Sequence, residues 1–522
     1  MRSRVALFVA LAAVAAAGGL FSLRPPEARS IGGVATERVS VSSQGAEGDQ
    51  ASLDAAVSED GRYVAFSSDA TLVANDANAR DILVHDRLTG VTELADISSA
   101  GAQSNRAAFY PDISGDGRYV VFSSDATNLV PADVNDSDDI FVHDRQTGAT
   151  ERISVAINGG DGDADSITPA ISADGRYVVF TSRASNLVPN DANNAWDVFL
   201  RDLVAGTTEL VSLSSDEVPA NFSSGWLGAG RARISGNGRY VAFGSIATNL
   251  VSDDTNGKDD IFLRDRVAGT TERISAGTNG EQGNGHSTYP DVSDDGRYVV
   301  FQSGANTLVP NDGNNASDVF LRDRQAGTLT RASVGPGGIE ANGGSQFPRI
   351  SADGSAVAFE SIATNLASGD TNFSSDIFIA RLASGAVERI VRAPDGSDGD
   401  GASTDAAING DGTVVVYQSD ATNLVAGDTN GATDIFAWGK LLAAPQPTPT
   451  RTPTPRPSAD VGDVNKNGRV DSIDASIVLQ YTAGFLNTIN DTADANDDGL
   501  VTSVDAALIL QYGAGLLDSL PP

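Results

Sequence analysis

The chain has 522 residues, with 69 acidic against 35 basic side chains, a formal net charge of -34 and no cysteine. So much negative charge argues against nucleic acid and anionic membrane surfaces as partners, because both are polyanions. Disulfides are excluded, so packing and metal must hold whatever fold forms.

In chain order, Met1-Arg2-Ser3-Arg4 precedes an apolar, Ala-rich run from Val5 to Leu23. A basic start, an apolar stretch and small-residue sites at Ala13-Val14-Ala15 or Ala15-Ala16-Ala17 predict a secretory signal over residues 1–28. The expected location is secreted or at the cell surface. The same run is long enough to serve, uncleaved, as a membrane anchor.

A repeat follows. The stretch PDISGDGRYVVFSSDATNLVPADVNDSDDIFVHDRQTGATERISV, Pro111 to Val155, recurs with its turn residue at Ser58, Ser114, Ser172, Ser235, Ser293, Ser351 and Asn409. The spacings are 56, 58, 63, 58, 58 and 58, a period that signals a repeat architecture. Alternating apolar runs predict four short strands per copy, with Asp116-Gly117 and Thr147-Gly148 as tight turns. Four antiparallel strands per repeat predict the blade of an all-β propeller.

The last copy leaves Asp434-Ile435-Phe436 for a proline-rich segment without its fourth strand, and a matching run, Thr36 to Val41, stands at the other end. Glu37 lies 21 residues before Ser58, as Glu93 does before Ser114. The expectation is a seven-bladed propeller over residues 34–443 whose last blade is closed by the N-terminal strand, leaving no free edge. The core P-x-[IV]-S-x-D-G-R-Y-V-x-F resembles the WD40-like repeats of TolB-type propellers, a resemblance that implies a fold and not a chemistry.

Both tight turns of a blade share one face, and the long loops share the other. Loops on a rigid scaffold commonly carry function, and a five-residue insertion on the long-loop face brings Phe222 and Trp226 as candidate ligand-binding residues. The long loops also carry Asp-x-Asn, as in Asp133-Val134-Asn135, with Asp139 six residues after the first Asp. Such oxygens suit either a cation or Asx-turns at strand ends. His85 and His143 share one blade position, taken later by Arg201, Arg264 and Arg322. A residue that repeats by blade reads as a surface strand position, and no catalytic constellation stands out.

Residues 444–458 include PQPTPTRTPTPRP, an extended spacer. Beyond it, residues 459–522 hold two loop-plus-helix copies 31 residues apart. Oxygens at alternating loop places wrap calcium, with Gly468 and Gly499 permitting the sharp turn. The ligands expected for two ions are Asp463, Asn465, Asn467, the Arg469 carbonyl, Asp471 and Asp474, then Asp494, Asn496, Asp498, the Leu500 carbonyl, Thr502 and Asp505. An Asp at the closing place and one helix per loop resemble a type I dockerin. That resemblance implies a cohesin-bearing scaffold protein as partner, contacted through Ser472, Ile473, Ser503 and Val504. Leu479-Gln480 and Leu510-Gln511 replace the basic pair frequent in that family. Ile477, Val478, Leu508 and Ile509 lie at helical spacing and predict a small α-helical core.

Together these features predict an exported, non-catalytic or accessory component that docks by calcium and binds a polysaccharide or protein on its propeller during extracellular polysaccharide breakdown. The alternative is a propeller glycoside hydrolase or lyase delivered by the same docking module.

Overall fold

The computed structural model describes residues 34–74, 76, 80–131, 133–189, 191, 193–226, 228–440, 464, 472–482, 493–494 and 501–513. The chain divides into two compact units, 1–444 and 445–522. The signal segment and the Pro/Thr linker lie outside the described residues.

The first unit is a seven-bladed propeller, with seven four-stranded antiparallel sheets. Blade 1 runs Ser52–Val57, Tyr63–Ser68, Asp81–Asp86 and Val91–Leu94 in spatial as in chain order, and the next five blades repeat it. The seventh combines Ser403–Ile408, Val414–Ser419 and Asp434–Lys440 with Val34–Arg38. Val34 pairs with Lys440 and Arg38 with Phe436, so the closing strand starts two residues before the expected run. Val39 and Ser40 prolong the closure: the Val39 amide donates to the Ile435 carbonyl at 2.8 Å, and the Ser40 hydroxyl donates to Asp434 at 2.5 Å.

The recurrent motif has a physical reason at each place. In the first turn the Ser58 hydroxyl donates to Asp60 at 2.6 Å and accepts the Tyr63 amide at 2.9 Å, which closes the turn from inside. Arg62 forms a forked pair with Asp86 at 2.9 and 2.7 Å, tying this turn to the end of the third strand. The same guanidinium lies 4.7 Å from the centre of the Tyr63 ring, and Arg145 of blade 2 covers that ring at 4.4 Å. Tyr63 is thus held between two cations from adjacent blades. Gly117 meets two demands here: its φ is +73°, and a Cβ would sit 2.1 Å from Tyr63 Cδ2.

Between blades the core is apolar and closely packed. Phe122 and Phe141, both fully buried, stack at 5.7 Å, and the equivalent pair recurs in the blades that follow. The two histidines also belong to this packing, which corrects the expectation of a surface position. His85 and His143 are buried, and each Nδ1 lies 2.9 Å from a threonine hydroxyl, Thr92 or Thr150. Those hydroxyls donate to Val41 and Ile97 carbonyls of the preceding connection, so the position fastens one blade to the last.

The second unit contains the helices Ser472–Thr482 and Ser503–Gly513. Val464, Ala475, Val478, Ala493, Ala506 and Ile509 form its buried cluster. Ile477 and Leu508 pack against it, as the helical spacing predicts.

Candidate functional site

The long loops are built around arginines. In blade 2, Arg152 of the fourth strand reaches Asp133 at 3.3 Å, Asp139 at 3.4 Å and Asp161. Arg331 does the same among Asp312, Asp318 and Glu340, as does Arg389 among Asp370, Asp376 and Asp398. The carboxylates that suggest a cation site therefore already surround a guanidinium of their own blade. In blades 1 and 3 Leu94 and Leu210 replace the arginine, and Gln103 and Pro219 replace the third acid, which keeps the local charge in step. The loop asparagines make Asx-turns: Asn135 accepts the Ser137 amide at 3.1 Å and donates to the Gly162 carbonyl at 3.1 Å.

On the axis the repeats diverge. Two residues before the turn residue, the seven innermost strands carry Ala56, Asp112, Ala170, Arg233, Asp291, Arg349 and Ala407. Four before it they carry Asp54, Tyr110, Thr168, Arg231, Tyr289, Phe347 and Asp405. Six of these latter residues sit at positive φ, between 46° and 55°, where each innermost strand bulges; Arg231 is the exception. The bulge twists the strand and turns its side chains toward the axis.

The five-residue insertion explains the exception. Ser224 pairs with Ser245 as Ser166 pairs with Ser182. The chain then leaves the sheet through Gly225 to Gly230 and returns at Arg233–Ile234. Inside this detour the Ala229 carbonyl accepts the Tyr289 amide at 3.1 Å. The detour delivers Arg231 to the axis, where it donates to Asp54 at 2.5 Å and lies 4.4 Å from the Tyr110 ring centre. Phe222 is 55% exposed, whereas Trp226 is 38% exposed and donates through Nε1 to Asp259 at 3.3 Å. The insertion is visible in the spacing, but Arg231 and Arg233 are not singled out by it, because only the folded detour shows which residues reach the axis.

An axial cavity of about 130 Å³ is lined by residues of all seven innermost strands, including Asp112, Arg233, Asp291 and Arg349. Burial, then the nearby Arg349 charge, push Arg233 down to about 9, still cationic at neutral pH. Toward the tight-turn face a wider opening of about 530 Å³ is lined by Glu59, Asp294, Asp295, Asp353 and Asp411. Burial and the neighbouring Asp294 raise the Glu59 carboxyl above its usual range. Glu360 is pushed to about 7, chiefly by burial. It accepts the Asp405 amide at 3.2 Å, as Gln302 and Gln418 accept the Phe347 and Asp54 amides at the same blade position.

In the second unit, Asp505 is fully buried, and its Oδ2 accepts the Thr502 amide at 2.8 Å and hydroxyl at 3.1 Å. Asp494 is half-buried. These three supply only oxygen, the donor set that suits a hard divalent cation such as calcium. Asp463, Asn465, Asn467, Arg469, Asp471, Asn496, Asp498 and Leu500 lie outside the described residues. Asp474, Ile473, Ser503 and Val504 fall within the helices, with side chains outside the described set; Ser472 is exposed at a helix start.

Residues 461–512 match the family described as dockerin type I domain. This segment is a type I dockerin. Type I dockerins bind calcium, and the domain implies a cohesin partner. Such proteins are typically extracellular, and among the described residues no helix is long and apolar enough to cross a membrane.

No curated protein matches the chain. Among solved structures it is similar to TolB from Acinetobacter baumannii, at 15% identity and a TM-score of 0.35, covering 63% of this chain and 63% of TolB. It is similar also to the propeller domain of the Trilobed protease from Pyrococcus furiosus, at 14% identity and a TM-score of 0.45, covering 76% and 99%. For oligogalacturonate lyase from Vibrio parahaemolyticus the values are 12%, 0.46, 78% and 96%.

Proposed function

We propose that the chain is an exported docking component whose dockerin holds two calcium ions and fastens the propeller to a cohesin-bearing scaffold. The propeller then presents its long-loop face to a polysaccharide or protein during extracellular polysaccharide breakdown. The observation that carries this reading is the duplicated loop-and-helix segment matching a dockerin at 461–512. Leu479 and Leu510, at equivalent places in the two helices, are 44% and 43% exposed, which supports an apolar docking surface there.

An enzymatic reading, as a glycoside hydrolase or lyase, has Glu360 as its natural acid, since a carboxyl near neutrality suits proton transfer. The shared position of Gln302, Glu360 and Gln418 supports a structural role instead: each satisfies an amide of the next blade's bulge. The non-catalytic reading is therefore preferred.

The test is capture of the full-length chain on immobilised cohesins, with calcium and then with excess chelator. Calcium-dependent capture that Asp494→Ala and Asp505→Ala together abolish is expected. Capture unaffected by chelator, or none by any type I cohesin, would remove the docking role.

A further inference from the structure

We propose that the axial cavity is an oxyanion-binding site in which the guanidinium groups of Arg233 and Arg349 hold a carboxylate, sulfate or phosphate group. The proposal rests on residues of the axis alone and does not depend on docking. Both arginines line a cavity of about 130 Å³. One water needs about 10–15 Å³ measured this way, so the space admits a small oxyanion or several waters.

The two arginines lack the hydrogen-bond partners that the two aspartates have among the described residues. Asp112 accepts the Ile113 and Ile171 amides, both at 3.0 Å, and Asp291 accepts the Val292 and Ile350 amides at 3.0 and 2.9 Å. Each carboxylate thereby bridges its own blade to the next. Arg233 approaches Asp112 only to 3.8 Å, beyond hydrogen-bond reach, and the Arg349 guanidinium makes no hydrogen bond or ion pair with any described residue. Two part-buried forks, each with five N–H donors, thus face a polar void.

Leaving such donors unsatisfied is costly, and Asp112 and Asp291 across the cavity offset the paired charges without coming within hydrogen-bond reach of the forks. An oxyanion supplies the missing contacts, because planar guanidinium forks match its oxygens in pairs. Nor does ring construction demand the pair, since three blades close with alanine at this position, Ala56, Ala170 and Ala407. Approach is from the long-loop side. The opening toward the tight turns is walled by five acids that repel an anion, whereas at the other end Arg231 offsets Asp54 and Asp405 beside the rings of Tyr110, Tyr289 and Phe347.

The experiment titrates the full-length, calcium-saturated chain with sodium acetate, sulfate or phosphate against chloride at constant ionic strength. Propeller melting and heat of binding are followed together. At least one of the three anions is expected to bind saturably, one per chain, and to raise the melting temperature. Comparison of acetate with the two tetrahedral anions identifies which oxyanion geometry the site accepts. Arg349→Gln is expected to keep the parent's circular dichroism and to bind about tenfold more weakly or worse, the effect of losing a charge-assisted pair. Should that variant not fold, Arg349→Lys keeps the charge without the fork and is likewise expected to lose about tenfold or more in affinity. No saturable binding, or equal affinity in parent and folded variant, overturns the proposal.

Discussion

The turn face and the axis of the propeller are made by the same repeat, yet they differ in how much the copies agree. At the turns, the Ser-x-Asp-Gly-Arg-Tyr sequence recurs because each residue has a partner that the ring itself supplies: Asp60 for Ser58, Asp86 for Arg62 and Arg145 for Tyr63. On the axis, seven equivalent positions hold Asp, Tyr, Thr, Arg, Tyr, Phe and Asp. Repetition marks what builds the ring, and its failure marks what the ring carries.

The comparison breaks most severely if the perimeter tolerates damage. Deleting residues 30–42 removes the strand paired with Asp434–Lys440 and exposes a sheet edge. Melting is expected to fall by several degrees, with aggregation, since each kcal/mol lost shifts a domain this large by about 1 °C. Calorimetry and size-exclusion chromatography check it. A truncated chain as soluble and heat-resistant as the parent would refute the strand-closed ring.

A smaller effect sharpens the comparison through the charge clusters. Arg389 is buried among three acids, so Arg389→Met is expected to cost about 3–5 kcal/mol by stranding them. The pH dependence follows from the same groups. Burial pushes Asp139, Asp318 and Asp376 to about 6 and Glu360 to about 7, above unfolded values of about 4. The folded chain then binds more protons than the unfolded one across this window, and its stability falls as pH rises through 6 to 7. Hydrogen bonds from Arg176 and Arg297 hold Asp202 and Asp323 at about 2, a contribution present above pH 4 and lost as pH falls toward 2. Propeller melting in saturating calcium is thus expected to be higher at pH 5 than at pH 7.5 and to decline below pH 4. Arg389→Met should widen the gap between pH 5 and 7.5, and a flat profile in both proteins would contradict the burial of these acids.

The blade count, the tight turns, the closing strand and the helical core around Val478 and Ile509 were legible because they depend on spacing and period. Three kinds of residue were not. His85 and His143 looked like surface positions because alternation along one strand does not reveal that the neighbouring blade covers it. Arg152 and Arg389 fill the loop clusters from a strand 13 residues beyond the Asp they meet, Asp139 or Asp376, a pairing that only the antiparallel register brings together. Arg231, Arg233 and Arg349 were hidden for a third reason: which side chains reach the axis is decided by a bulge around Arg349 and by the insertion's detour for Arg231 and Arg233, and neither leaves a mark in the hydrophobic pattern.

The smallest stability effect is expected at the insertion, the longest departure of the perimeter from the repeat. Phe222 is 55% exposed, so Phe222→Ala should change stability by no more than about 0.5 kcal/mol. Trp226 is more embedded: a Cβ on Gly228 would lie 2.3 Å from its ring, and its Nε1 donates to Asp259. Trp226→Ala should therefore cost about 1 kcal/mol, the order of one hydrogen bond. If the insertion binds ligand, the double variant weakens capture on a polysaccharide or protein array while melting stays within a few degrees of the parent. If its role is instead to steer Arg231 onto Asp54, capture on the long-loop face is unchanged and the axial oxyanion affinity moves. A loss of melting temperature as large as that of Arg389→Met would show that these aromatics belong to the packing of the ring.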